Sequence, residues 1–175
     1  MSANFDEFIR SQVESSTAVK IDLEKNKGMW LLKLDELYQL IEESLRQYID
    51  KGNIQLEYKN VSLSEELLGT YDAKAAYIKV GRHVVKLDPI GTFLIGARGR
   101  VDMTGPNGIV RFVIVPPGSS GPNVILIRQE SQTQQVPETP PENWVWKIST
   151  PPPRITYIDL TDESFRSSLM GVVDG

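Results

Sequence analysis

The chain has 175 residues, 40% apolar and 24% charged, the balance of one globular domain and not of a disordered, fibrous or membrane-spanning chain. It has no cysteine and one histidine, His83, which excludes disulfides, thiolate metal sites, cysteine nucleophiles and any His-rich metal cluster. The formal net charge of −4 is unevenly spread: residues 1–72 hold 14 acids and 8 bases, 73–129 hold 2 and 8, and 130–175 hold 7 and 3.

In chain order, Asn4 and Glu7 have capping-box spacing, and Phe5, Phe8, Ile9 and Val13 follow on one helical face. Ser15-Ser16-Thr17 predicts a break. A second helix is expected over 29–50. There Trp30, Leu34, Leu37, Tyr38, Ile41, Leu45, Tyr48 and Ile49 recur at steps of three and four, with Gly52 as its stop.

From Asn53 the period becomes two, with Ile54, Leu56 and Tyr58 alternating with polar residues. Ser62 and Glu65 predict a short capped helical turn ending at Gly69. Ala73–Val80 and His83–Asp88 flank Gly81-Arg82, a two-residue hairpin loop. That loop sets Val80 opposite His83 and Ile78 opposite Val85. Thr92–Ile95 is a short apolar run, and Gly96 and Gly99 mark a bend. Arg100–Thr104 and Ile109–Val115 form the next hairpin, with Met103 facing Val110 and Asp102 facing Arg111.

Residues 116–122 are a Pro/Gly/Ser loop, Val124–Arg128 is a strand, and 129–143 is an exposed loop by composition. Trp144–Ile148 and Ile155–Leu160 are strands on either side of Pro151-Pro152-Pro153, and Thr161 caps a final helix. The expected class is α+β: N-terminal helices, an antiparallel meander sheet or half-open barrel, and a C-terminal helix. Residues 1–52 form the helical region and 53–175 the β-rich region with its helix, together one domain.

The glycines at 91, 96 and 99 make neither a P-loop nor a dinucleotide fingerprint, since no Gly-Lys-Ser/Thr is present and no helix follows. No Gly-x-Ser-x-Gly elbow supplies a nucleophile. The adjacent pairs Glu42-Glu43 and Glu65-Glu66 do not face each other on a helix and read as surface charge. No catalytic constellation, cofactor or metal is expected.

The residues with chemistry to offer are Arg82 and His83 at the first hairpin, and Arg98, Arg100 and Asp102, which share one strand face. They lie in the basic middle of the chain. The leading expectation is a non-catalytic protein-interaction or self-assembly module that uses a basic sheet face, with a homodimer among the assemblies. The alternative is a small anionic-ligand binder or enzyme built around those five residues. A nucleic-acid role fits less well with a pI near 5.1. No stretch suits a membrane helix and no signal segment opens the chain, so the expected setting is cytoplasmic.

Overall fold

The computed structural model describes residues 2–92, 99–122 and 141–175. Helix α1 spans Ser2–Asp50. Strands β1 (Ile54–Glu65), β2 (Gly69–Val80), β3 (His83–Gly91), β4 (Arg100–Gly105), β5 (Gly108–Val115), β6 (Val145–Ser149) and β7 (Tyr157–Asp159) follow, and helix α2 (Asp162–Asp174) closes the order. The seven strands make one open sheet in chain order, each antiparallel to its neighbour. The α+β meander expected from the alternation is therefore the fold, as an open sheet and not a barrel.

Both predicted hairpin registers hold. Val80 lies opposite His83 and Ile78 opposite Val85. Asp102 lies opposite Arg111, Met103 opposite Val110 and Val101 opposite Phe112. Thr161 caps α2 with a capping box: its Oγ1 accepts from the Ser164 amide at 3.1 Å, and Ser164 Oγ accepts from the Thr161 amide at 2.8 Å. At the end of α1, Gly52 takes the left-handed conformation that a side chain disfavours, with φ of 76°. The amides of Gly52 and Asn53 then reach back to the carbonyls of Ile49 and Tyr48 at 2.9 and 2.8 Å, satisfying two orphan acceptors.

Three expectations are corrected. There is no break at Ser15–Thr17, because α1 is one helix from Ser2 to Asp50. Thr17 Oγ1 bonds back to the Val13 carbonyl at 2.9 Å, so its hydroxyl is satisfied without leaving the helix. Ser62 and Glu65 do not cap a helical turn, because both belong to β1, opposite Asp72 and Gly69. The Glu65 carboxylate instead accepts from the Tyr71 hydroxyl at 2.8 Å and the Thr92 hydroxyl at 3.1 Å. Finally, Pro89 lies within β3 and does not end it. Its level of β3 has no β2 partner, so the missing amide donor costs no ladder bond there. The expected strand over 124–128 and most of the run 92–95 lie outside the described residues.

One face of the sheet carries Ile78, Val85, Leu87, Val101, Met103, Phe112, Trp146 and Ile148, all buried. The second half of α1 lies on this face with Trp30, Leu34, Leu37, Ile41 and Leu45 pointing in, and α2 adds Phe165, Leu169 and Val172. The helices are tied at the Ser44 level. Ser44 Oγ donates to Asp162 Oδ1 at 2.6 Å, and the Arg166 guanidinium donates twice to the Ser44 carbonyl, at 2.9 and 2.7 Å. Trp146 Nε1 donates to the Lys33 carbonyl at 2.7 Å, and the Tyr38 hydroxyl donates to the Lys74 carbonyl. In β2, burial shifts phase between Ala75 and Ala76 without a break in pairing to β1. The twisted tip of the β1–β2 hairpin thus turns Tyr71 and Ala73 to the core from the other face.

Candidate functional site

The sheet face turned away from the helices carries two of the five residues singled out for binding, Arg100 and Asp102. Arg100 and Asp102 meet there as neighbours two apart on β4. Arg100 Nε and Nη2 donate to the two carboxylate oxygens of Asp102, both at 2.6 Å. This bidentate bond raises the Arg100 pKa above its ordinary value, against the opposing effect of burial. Asp102 is thus engaged by Arg100 along the strand, although Arg111 is its cross-strand neighbour.

His83 is not part of this group. Its register with Val80 and Ile54 puts it on the helix-covered face, at the start of β3. Arg100 pairs with Gly91 at the other end of β3. Eight residues of strand separate the two levels, about 26 Å. Arg82 is an exposed turn residue next to His83. Arg98 lies outside the described residues.

The bases of the sheet face are not bare. Lys79 pairs with Glu57 at 3.2 Å, Lys86 with Asp88 at 3.1 Å and Lys147 with Asp159 at 3.0 Å. Lys59 stands over the Tyr77 ring, 4.7 Å from its centroid. The hydrogen bond that Lys86 donates to the Asp88 carboxylate raises the lysine's pKa. Glu57, from the acidic first segment, lies beside Lys79 of the basic middle, whereas Lys147 and Asp159 both belong to the last segment. Among the described residues, no three His, Cys, Asp or Glu side chains gather to hold a metal ion. No described helix is long and apolar enough to cross a membrane.

A groove of about 540 Å³ opens between the end of α1, α2 and the β1–β2 edge, lined by Leu45, Tyr48, Ile54, Val80, Leu169 and Val173. Its one guanidinium, Arg166, already serves the Ser44 carbonyl and lies 6.0 Å from the Tyr48 ring. The lining offers apolar contact and little polar recognition.

The largest unused surface is elsewhere. The stripe that Trp30, Leu34 and Leu37 press on the sheet continues backwards along the same face of α1 through Leu23, Val19, Ile9 and Phe5. Among the described residues, no element packs on residues 4–22 of α1. Phe5, Phe8, Val13 and Val19 are 64%, 54%, 59% and 57% exposed, whereas Trp30 is 2% exposed. Phe5 and Phe8 touch only each other as rings, with centroids 6.4 Å apart. The signal was in the sequence, since the phase of the apolar residues runs unbroken across the polar Ser15–Thr17 step. An expected helix end there concealed it.

No protein-family model, curated protein or solved structure matches the chain. The geometry of the chain itself therefore carries the functional reading.

Proposed function

We propose that this protein is a non-catalytic self-assembly module whose working surface is the bare apolar face of α1. The observation that carries the proposal is the exposure of Phe5, Phe8, Ile9, Val13 and Val19 on one side of a helix whose second half uses the same side as core. Large apolar side chains left exposed along one side of an extended helix make an interaction surface by their chemistry, because water opposes their exposure. The sheet face supports a lesser role, since Lys79, Lys86, Arg100 and Lys147 each have a neighbouring acid.

Light scattering at tens of micromolar tests the proposal. The wild-type chain is expected to assemble, and Ile9→Asp with Val19→Asp is expected to give a monomer with an unchanged near-UV spectrum. Those positions touch no core residue, so the fold should tolerate both charges. A wild-type chain that stays monomeric throughout this range refutes the proposal.

A further inference from the structure

We infer that the bare half of α1 pairs with the same segment of a second copy of this chain, antiparallel, about a two-fold axis level with Glu14. The inference rests on the assembly reading above and adds the partner, the direction and the register.

Ahead of the core the stripe steps Phe5, Ile9, Gln12, Ser16, Val19, Leu23, with Leu23 half-buried and the others exposed. The intervals alternate four and three, the seam spacing of packed helices. The seam is apolar at both ends and polar in its middle. Set antiparallel with Glu14 level with the partner's Glu14, Phe5 meets the partner's Leu23 and Ile9 meets the partner's Val19. Gln12 meets the partner's Ser16. Every apolar position then faces an apolar one, and the two polar positions face each other. Val13 and the partner's Val13 lie on one flank of the axis, about 3 Å apart along it, and Phe8 covers the other flank. A slide of one heptad sets Leu23 on Gln12 and Val19 on Ser16, so the polar middle fixes the register.

Charge agrees with this register. Asp6 and Lys20 flank the same side of the seam, and antiparallel pairing brings Asp6 beside the partner's Lys20 at both ends of the contact. The body of the fold decides the direction independently. From Trp30 onward the stripe is occupied by the chain's own sheet. Two parallel helices joined along the stripe would bring both sheets to the same level and the same side. Antiparallel helices carry them to opposite ends.

The chain has no cysteine, so one introduced cysteine is a unique label. Nitroxides on Asn4→Cys and, separately, on Ser11→Cys report the arrangement by pulsed dipolar spectroscopy. Both sites are exposed. The antiparallel register separates the two Asn4 labels by about 30 Å along the axis and the two Ser11 labels by about 9 Å. A parallel pair gives equal separations at both sites. Charge exchange supplies a second readout: Asp6→Lys or Lys20→Asp alone should weaken dimerisation about tenfold, and the two together should restore it. A dimer that Ile9→Asp with Val19→Asp still dissociates, but whose two label separations are equal, overturns this inference and leaves the assembly reading standing. Single exchanges without effect also overturn the register. A monomeric wild-type chain overturns both readings.

Discussion

Phe165→Ala tests whether α2 is part of the core or a peripheral addition. Phe165 is fully buried, and its ring lies 6.2 Å from that of Phe112, itself fully buried on the sheet. Truncation removes a six-carbon ring plus the paired contact and leaves a cavity between α2 and the sheet. The surrounding strands are hydrogen-bonded on both sides and cannot close it. Such a change costs about 3–5 kcal/mol. For a domain of this length, each kcal/mol moves Tm by about 2–4 °C, so the expected fall is about 6–20 °C. Met170, on the same helix and 65% exposed, is the control; Met170→Ala should cost no more than about 0.5 kcal/mol. Thermal unfolding followed by circular dichroism at one fixed protein concentration gives both values, because assembly makes Tm concentration-dependent. Equal shifts for the two variants would refute the placement of α2 in the core.

Two glycines should respond in opposite directions. Gly28 is helical, with open space where a Cβ would stand, so Gly28→Ala should stabilise α1 by up to about 1 kcal/mol and raise Tm. A Cβ on Gly105 would fall 2.3 Å from the Val172 carbonyl oxygen, a backbone atom, so Gly105→Ala should cost about 1–3 kcal/mol and lower Tm. Alkali should destabilise the protein through phenols whose ionisation the fold opposes, Tyr38 and Tyr71 being buried and Tyr58 40% exposed. Burial, then the neighbouring Glu42 carboxylate, pushes the Tyr58 pKa up to about 12, and burial raises Tyr38 and Tyr71 as well. Each phenol ionises more readily unfolded than folded, so its contribution is complete below pH 10 and is lost as pH rises through about 12. A pH series of melts should be level on this account up to the ordinary tyrosine range and fall above it, less steeply in Tyr58→Phe. Helical ellipticity per residue should increase with protein concentration in the wild type and stay constant in Ile9→Asp with Val19→Asp; concentration-independent ellipticity in both would contradict coupled ordering.

The two hairpin registers, β2 with β3 and β4 with β5, were legible because their determinants are local. Turn length and the period-two alternation fix which side of Ile78 or Met103 faces inward, and the pairing follows. The cap at Thr161 was legible for the same reason. The continuity of α1 was not. Ser15, Ser16 and Thr17 each cost only a few tenths of a kcal/mol relative to better helix formers, and propagation of an existing helix tolerates that. Ser62 and Glu65 satisfy a capping pattern, yet pairing with β2 supplies more hydrogen bonds than one helical turn. The choice of Asp102 between Arg100 and Arg111 was open in sequence, since a strand neighbour two residues away and a cross-strand neighbour are both within reach. The neutralised sheet face was hidden because Glu57 and Asp159 lie far away in sequence from the lysines they meet.

The bare half of α1 poses an energetic problem that pairing solves. Long helices in proteins are held mainly by tertiary packing, and short ones alone in water are marginal. Residues 4–22 are exposed, with no packing against the body among the described residues. They are also rich in serine and β-branched residues, weak helix formers. The ion pairs seen on α1 among the described residues start only at Glu24, so charge pairing does not support this stretch either. The folded second half removes the nucleation cost, because it offers a formed helix end to extend. Propagation into residues 4–22 then proceeds at a small loss per residue that the body cannot offset. In the proposed pairing, apolar contact of Phe5, Ile9, Val19 and Leu23 with a second helix supplies the missing term. Ordering of the segment and assembly are thus one equilibrium, and each substitution that weakens the seam should lower helicity and association together.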